Sequence, residues 1–207
     1  MLLKVDDIHT YYGKSHILHG VSLELKKGKL TCLLGRNGVG KTTTMNSIMG
    51  ITETASGRIV FNGTPVQGLP SYRVAKLGIG IVPETRRIFG SLTVHENLLI
   101  GQKKRIDSGP SDQWDIDKVY DWFPMLKKRQ HNKGRNLSGG EQQVLTVART
   151  LMGNPSVILV DEPTEGLAPL IVQDVMDMLS KLRESGISIL MVEQNFNAAV
   201  KVADWFY

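Results

Sequence analysis

The chain has 207 residues, with 25 Lys and Arg against 20 Asp and Glu for a formal charge of +5. A hydrophobic share of 41% with 22% charged residues allows a buried core and excludes a disordered chain. Its longest apolar runs, such as Val157 to Val160, fall far short of the ~20 residues a membrane-spanning helix needs.

Lys4, Asp6 and Asp7 stand where a secretory signal would be apolar, and the single cysteine, Cys32, excludes an internal disulfide and a cysteine-based zinc site. The expectation is a cytoplasmic globular protein. Basic clusters at Lys26, Lys27 and Lys29, at Lys103, Lys104 and Arg105, and at Lys127, Lys128 and Arg129 read as solvated surface. The 21 glycines, about a tenth of the chain against ~7% ordinarily, fall partly in tight groups.

In chain order, Leu2, Val5 and Ile8, then Ile17, Val21, Leu23 and Leu25, predict short strands with partial alternation. Lys29 to Leu34 predicts an apolar strand running into a glycine-rich turn, with a helix from Lys41 to Met49 closed by Gly50. Ile59 and Phe61 precede an Asn62-Gly63 turn, and Gly78 to Val82 reads as a strand ending at Pro83. Between residues 92 and 136, Val94, Leu98, Leu99, Ile100, Val119, Trp122, Phe123 and Leu126 recur at helical spacing around a polar loop from Asp107 to Asp115. A helical pattern at Leu145 to Met152, a buried strand at Val157 to Val160, a helix at Leu170 to Leu182 and a strand at Ile187 to Val192 complete the order. Strands alternating with helices predict an α/β fold on a mostly parallel sheet.

Gly35-Arg36-Asn37-Gly38-Val39-Gly40-Lys41-Thr42 fits G-x-x-x-x-G-K-[ST] between the predicted strand and helix. Glycines let successive N–H groups turn toward phosphate oxygens, and the following helix aims its positive end at the same charge. Lys41 would reach the β- and γ-phosphates and the Thr42 hydroxyl would hold Mg²⁺, so the chain is expected to bind a nucleoside triphosphate. Asp161 and Glu162 end an apolar strand. Asp161 is placed to bind Mg²⁺ and Glu162 to activate a water for attack on the γ-phosphate.

Leu137-Ser138-Gly139-Gly140-Glu141-Gln142-Gln143 opens a helix, with Ser138 and Glu141 spaced as a capping box. Two glycines in a first turn cost about 1 kcal/mol each against alanine, and make sense where something must approach the backbone closely. With this LSGGEQ run 21 residues before Asp161 (counted from Gly140) and the phosphate loop upstream, nearly the whole chain resembles an ATP-binding cassette (ABC) ATPase. The resemblance implies a P-loop, RecA-like core with an N-terminal antiparallel part and a helical signature subdomain. As a single cassette over 1–207, the core would be 1–84 and 155–207 and the subdomain about 85–154. Family cassettes continue past Ala203 to Tyr207, so a missing C-terminal piece is expected.

The resemblance also implies residue roles. Two cassettes pack head to tail, and Ser138, Gly139, Gly140 and Glu141 of one contact the ATP of the other, with Ser138 and Gly140 on the γ-phosphate. Tyr12, 23 residues before Gly35, matches the aromatic that stacks on adenine, and Thr43 adjoins Thr42 in the nucleotide site.

Three positions depart from the commonest family pattern. Glu84 stands where most cassettes have glutamine, Gln194 where most have histidine, and Ala168 where an aspartate is usual. An amide at Gln194 can hydrogen-bond a γ-phosphate but cannot titrate near neutrality, which excludes a proton relay there. Glu84 is a candidate Mg²⁺ or water ligand and a coupling residue. The segments VPETRRIF, LSGGEQQ, DEPTEGLAP and VEQN together resemble the cassette of branched-chain amino acid importers, with urea and short-amide importers as close relatives. That implies permease subunits and a second cassette as partners, a place on the inner face of the plasma membrane, and ATP with Mg²⁺. A DNA-acting cassette would carry a long coiled-coil insertion, whereas Ser138 lies only 54 residues after Glu84, so no nucleic-acid partner is expected.

Overall fold

The computed structural model describes residues 1–103 and 113–207. Lys104, Arg105 and most of the polar loop read from Asp107 to Asp115 lie outside the described residues. Strands β1 (Leu3–Tyr12), β2 (Ser15–Leu25), β4 (Thr54–Phe61) and β5 (Thr64–Pro65) form an antiparallel sheet in the order β2-β1-β4-β5. Strands β3 (Leu30–Leu34), β6 (Ile79–Val82), β7 (Val157–Asp161), β8 (Ser188–Glu193) and β9 (Trp205–Phe206) form a parallel sheet in the order β6-β7-β8-β3-β9. The fold is α/β, as the alternation of strands and helices predicts.

Two cores flank the parallel sheet, and the alternation of side chains along β7 and β8 explains them. Val157, Leu159, Leu190 and Val192 face the antiparallel sheet and helix α1 (Lys41–Ile48), among Val5, Ile8, Met45 and Ile59. Ile158, Val160, Ile189 and Met191 face the other way, against α6 (Gly139–Leu151) and α7 (Pro169–Glu184). A strand buried on both faces must be apolar at every position, which is why these segments show no alternation in sequence.

Helices α3 (Val94–Gly101), α4 (Ile116–Trp122), α5 (Pro124–Lys128) and α6 lie between β6 and β7. Phe123 breaks α4 from α5 because the residue before a proline is pushed out of the helical region; it sits at φ −126°, ψ 68°. The signature segment and the pattern at Leu145 to Met152 are one helix, α6. Short elements outside the sequence reading include α2 (Ser71–Lys76), α8 (Phe196–Ala199), β5 and β9. None of the described helices is long and apolar enough to cross a membrane.

Candidate functional site: a phosphate loop at the strand ends

The C-terminal ends of four parallel strands bring the candidate residues together, where ligand sites of such sheets lie. β3 runs into the phosphate loop, β6 into Glu84, β7 ends in Asp161 before Glu162, and β8 leads to Gln194. Gly40 caps α1 at φ 98°, a left-handed conformation that excludes most side chains, and a Cβ there would stand 2.7 Å from Leu18 Cδ2. A cavity of about 360 Å³ opens beside the loop. It is lined by Tyr12, Asn37, Gly38, Gly40, Lys41, Thr42, Thr43, Glu84 and Glu162, together with Ile17.

Lys41 is buried, and its ammonium donates to the carbonyls of Gly35 and Arg36, each at 2.8 Å. It also pairs with Glu162 at 3.0 Å; both side chains are under a tenth exposed. Glu162 itself is held at φ 43°, unusual for a residue with a Cβ, by its N–H donating to the Val192 carbonyl at 3.0 Å. The Gln194 amide donates to the other Glu162 oxygen at 3.4 Å. Thr42 Oγ1 donates to Asp161 Oδ1 at 3.2 Å. Burial raises the Asp161 carboxyl above the ordinary range, opposed by the Thr42 hydrogen bond.

Gly35, Arg36 and Val39 belong to the loop but do not line the cavity, and Val39 is 59% exposed. Tyr12 is half exposed, its hydroxyl within 3.3 Å of Thr52 Oγ1, and that hydrogen bond lowers its pKa. Glu84 is exposed at the cavity wall. The neighbouring Glu84 carboxyl, followed by burial, raises the Glu165 pKa.

Ser138, Gly139, Gly140 and Glu141 stand outside this cavity. The Glu141 N–H donates to Ser138 Oγ at 3.3 Å and the Ser138 N–H to Glu141 Oε2 at 2.8 Å, so the capping box is formed, and the Ser138 backbone hydrogen bond lowers the Glu141 pKa. A Cβ on Gly140 would meet Ile171 Cγ2 of α7 at 2.5 Å. A side chain at this position would therefore force Ile171 to shift, whatever approaches the helix from outside.

Two residues belong to the site without having been read from sequence. Ile17 reaches the cavity because a β-bulge between the Thr10–Leu18 and Tyr11–His16 pairs inserts it unpaired. Glu193 is buried, accepts from Thr164 Oγ1 at 2.6 Å and from the N–H groups of Gln194 and Asn195 at 3.0 Å each, and so fixes both loops around Glu162. A carboxylate directly after the apolar run 189–192 of β8 was the available signal.

A phosphate loop on the first strand of a parallel sheet, with a strand-end acidic pair facing it, defines a P-loop nucleotide-binding protein. Residues 18–165 match the ABC transporter family model, and the chain belongs to that family of cassette ATPases. It is 43% identical over 206 residues to the high-affinity branched-chain amino acid transport ATP-binding protein BraG of Pseudomonas aeruginosa, covering 100% of this chain and 88% of that protein. Identity is 36% to the probable branched-chain amino acid transport ATP-binding protein LivF of Archaeoglobus fulgidus, over 100% of this chain and 87% of that one. Among solved structures, the ADP conformation of an ABC transporter cassette superposes with TM-score 0.85 at 28% identity, over 100% of this chain and 86% of that one. A dimeric bacterial ABC transporter cassette superposes with TM-score 0.80 at 27% identity, over 96% and 90%.

Proposed function

We propose that this chain is the ATP-hydrolysing subunit of a membrane import system for branched-chain amino acids. The observation that carries the hydrolytic part is the convergence of Lys41, Thr42, Asp161 and Glu162 within hydrogen-bond or ion-pair reach at the strand ends. The solute class rests on the two relatives named for that transport.

In this reading the Gly38 and Gly40 turn and the start of α1 receive the phosphates, while Tyr12 and Ile17 wall the base. The Thr42 hydroxyl and Asp161 carboxylate are hard oxygen donors 3.2 Å apart, a donor set that fits Mg²⁺, and Glu84 stands on the same cavity wall. An ion held there would neutralise charge on the phosphates. Lys41 exchanges the loop carbonyls and Glu162 for phosphate oxygens. Glu162 then accepts the proton of the attacking water, and Gln194 orients that carboxylate through its amide.

The signature residues act on the nucleotide of a second cassette, a reading supported by their absence from the lining of this chain's own cavity. A cleft of about 280 Å³ lined by Met49, Ile81, Phe89, Ile100, Gly101 and Arg149 supports a permease contact, with Phe89 and Ile100 about half exposed. The chain then works on the cytoplasmic face of the membrane without entering it. Glu162→Gln is expected to lower phosphate release at least ~100-fold while retaining ATP binding, since a general base contributes about 10²–10⁴. Wild-type turnover in that variant would remove Glu162 from the base role.

A further inference from the structure

The outward face of the β1–β2 hairpin gathers His9, His16 and His19, three of the five histidines of the chain. Nδ1 of His9 stands 3.1 Å from Nε2 of His16. The His16 ring lies on Tyr11 at 4.1 Å and beside His19 at 3.8 Å. Asp7 Oδ1 is 3.5 Å from the other ring nitrogen of His9, Nε2. None of these groups lines the nucleotide cavity, and the hydrolytic mechanism uses none of them.

Two imidazole nitrogens bound to one tetrahedral ion at 2.0–2.1 Å stand about 3.3 Å apart, close to the separation found here. A carboxylate on the far nitrogen is the arrangement that fixes the orientation and tautomer of a ligating histidine.

We propose that His9 and His16 form a two-imidazole site for one divalent transition-metal ion of the kind imidazole favours, such as Zn²⁺, with Asp7 orienting His9. Among the described residues no three metal-ligating side chains converge on one point, so water completes the coordination and the site is open. Each neutral ring carries one proton. The ring whose proton lies between the two nitrogens moves it to its other nitrogen, Nε2 of His9 facing Asp7 or Nδ1 of His16, and the ion binds without net proton release. The ion would join β1 to β2 beside Tyr12 and Ile17, the chain neighbours of Tyr11 and His16 that wall the nucleotide cavity. Hairpin and nucleotide pocket are thereby tied together.

The test is calorimetric titration of the untagged, chelator-stripped chain with Zn²⁺ in the absence of nucleotide. One ion per chain is expected, weakened at least tenfold by His9→Ala and by His16→Ala and about tenfold by Asp7→Asn. His131→Ala should leave binding unchanged, and circular dichroism of each variant checks that the fold is retained. Absence of binding, or binding that survives the His9→Ala/His16→Ala double variant, overturns the site.

Discussion

At the scale of single residues, a buried ion pair joins the phosphate loop to the strand-end carboxylates, Lys41 to Glu162. A lysine after G-x-x-x-x-G and two carboxylates ending an apolar strand point at phosphate wherever they meet. What they do to one another was not legible. The Lys41–Glu162 pair joins positions more than a hundred residues apart, and only the sheet register, with Asp161 level with Val192 and Leu33 level with Val192, brings them face to face. Cys32 shows the same limit. Its sequence context says apolar strand; its place in the sheet buries the thiol fully and raises its pKa to about 12, through burial first and Glu193 second. At pH 8 only about one thiol in 10,000 would be thiolate, the reactive form. A thiol reagent should therefore leave the folded chain unlabelled and react once denaturant unfolds it; rapid stoichiometric labelling of the native protein would contradict this. The sign for stability follows: the unfolded thiol ionises first, so stability falls as pH rises from about 9 toward 12.

At the scale of elements, the long, strongly patterned segments were readable and the short ones were not. β7 and β8 announce themselves because burial on both faces demands an unbroken apolar run. The two-residue β9 has no pattern to show; it exists because Thr31 and Cys32 of β3 offer a free edge to Trp205 and Phe206. Helix α2, of six residues, is likewise too short for a period to repeat. Close packing of whole elements is equally silent in sequence. At the end of α3, a Cβ on Gly101 would stand 2.2 Å from the Arg149 carbonyl of α6. Gly101→Ala should push α3 off α6 and lower stability by about 1–3 kcal/mol in urea denaturation, as overpacking does. An unchanged midpoint would show that the two helices separate freely.

At the scale of the whole molecule, the chain holds two candidate half-sites that do not meet. The phosphate loop faces one cavity, and the capped start of α6 stands outside it with Ser138 exposed. If the second half-site serves another cassette, Ser138→Arg should abolish hydrolysis in the assembled pair while leaving nucleotide affinity of the isolated chain unchanged. Weakened binding to the isolated chain would place Ser138 in the chain's own pocket instead.

The ion pair at the strand ends bears on timing. A carboxylate held by an ammonium is a poor proton acceptor, and an ammonium held by a carboxylate is a poor phosphate ligand. On the mechanism proposed above, the same exchange that seats a triphosphate would free Glu162, so the base would be armed by the arrival of what it acts on.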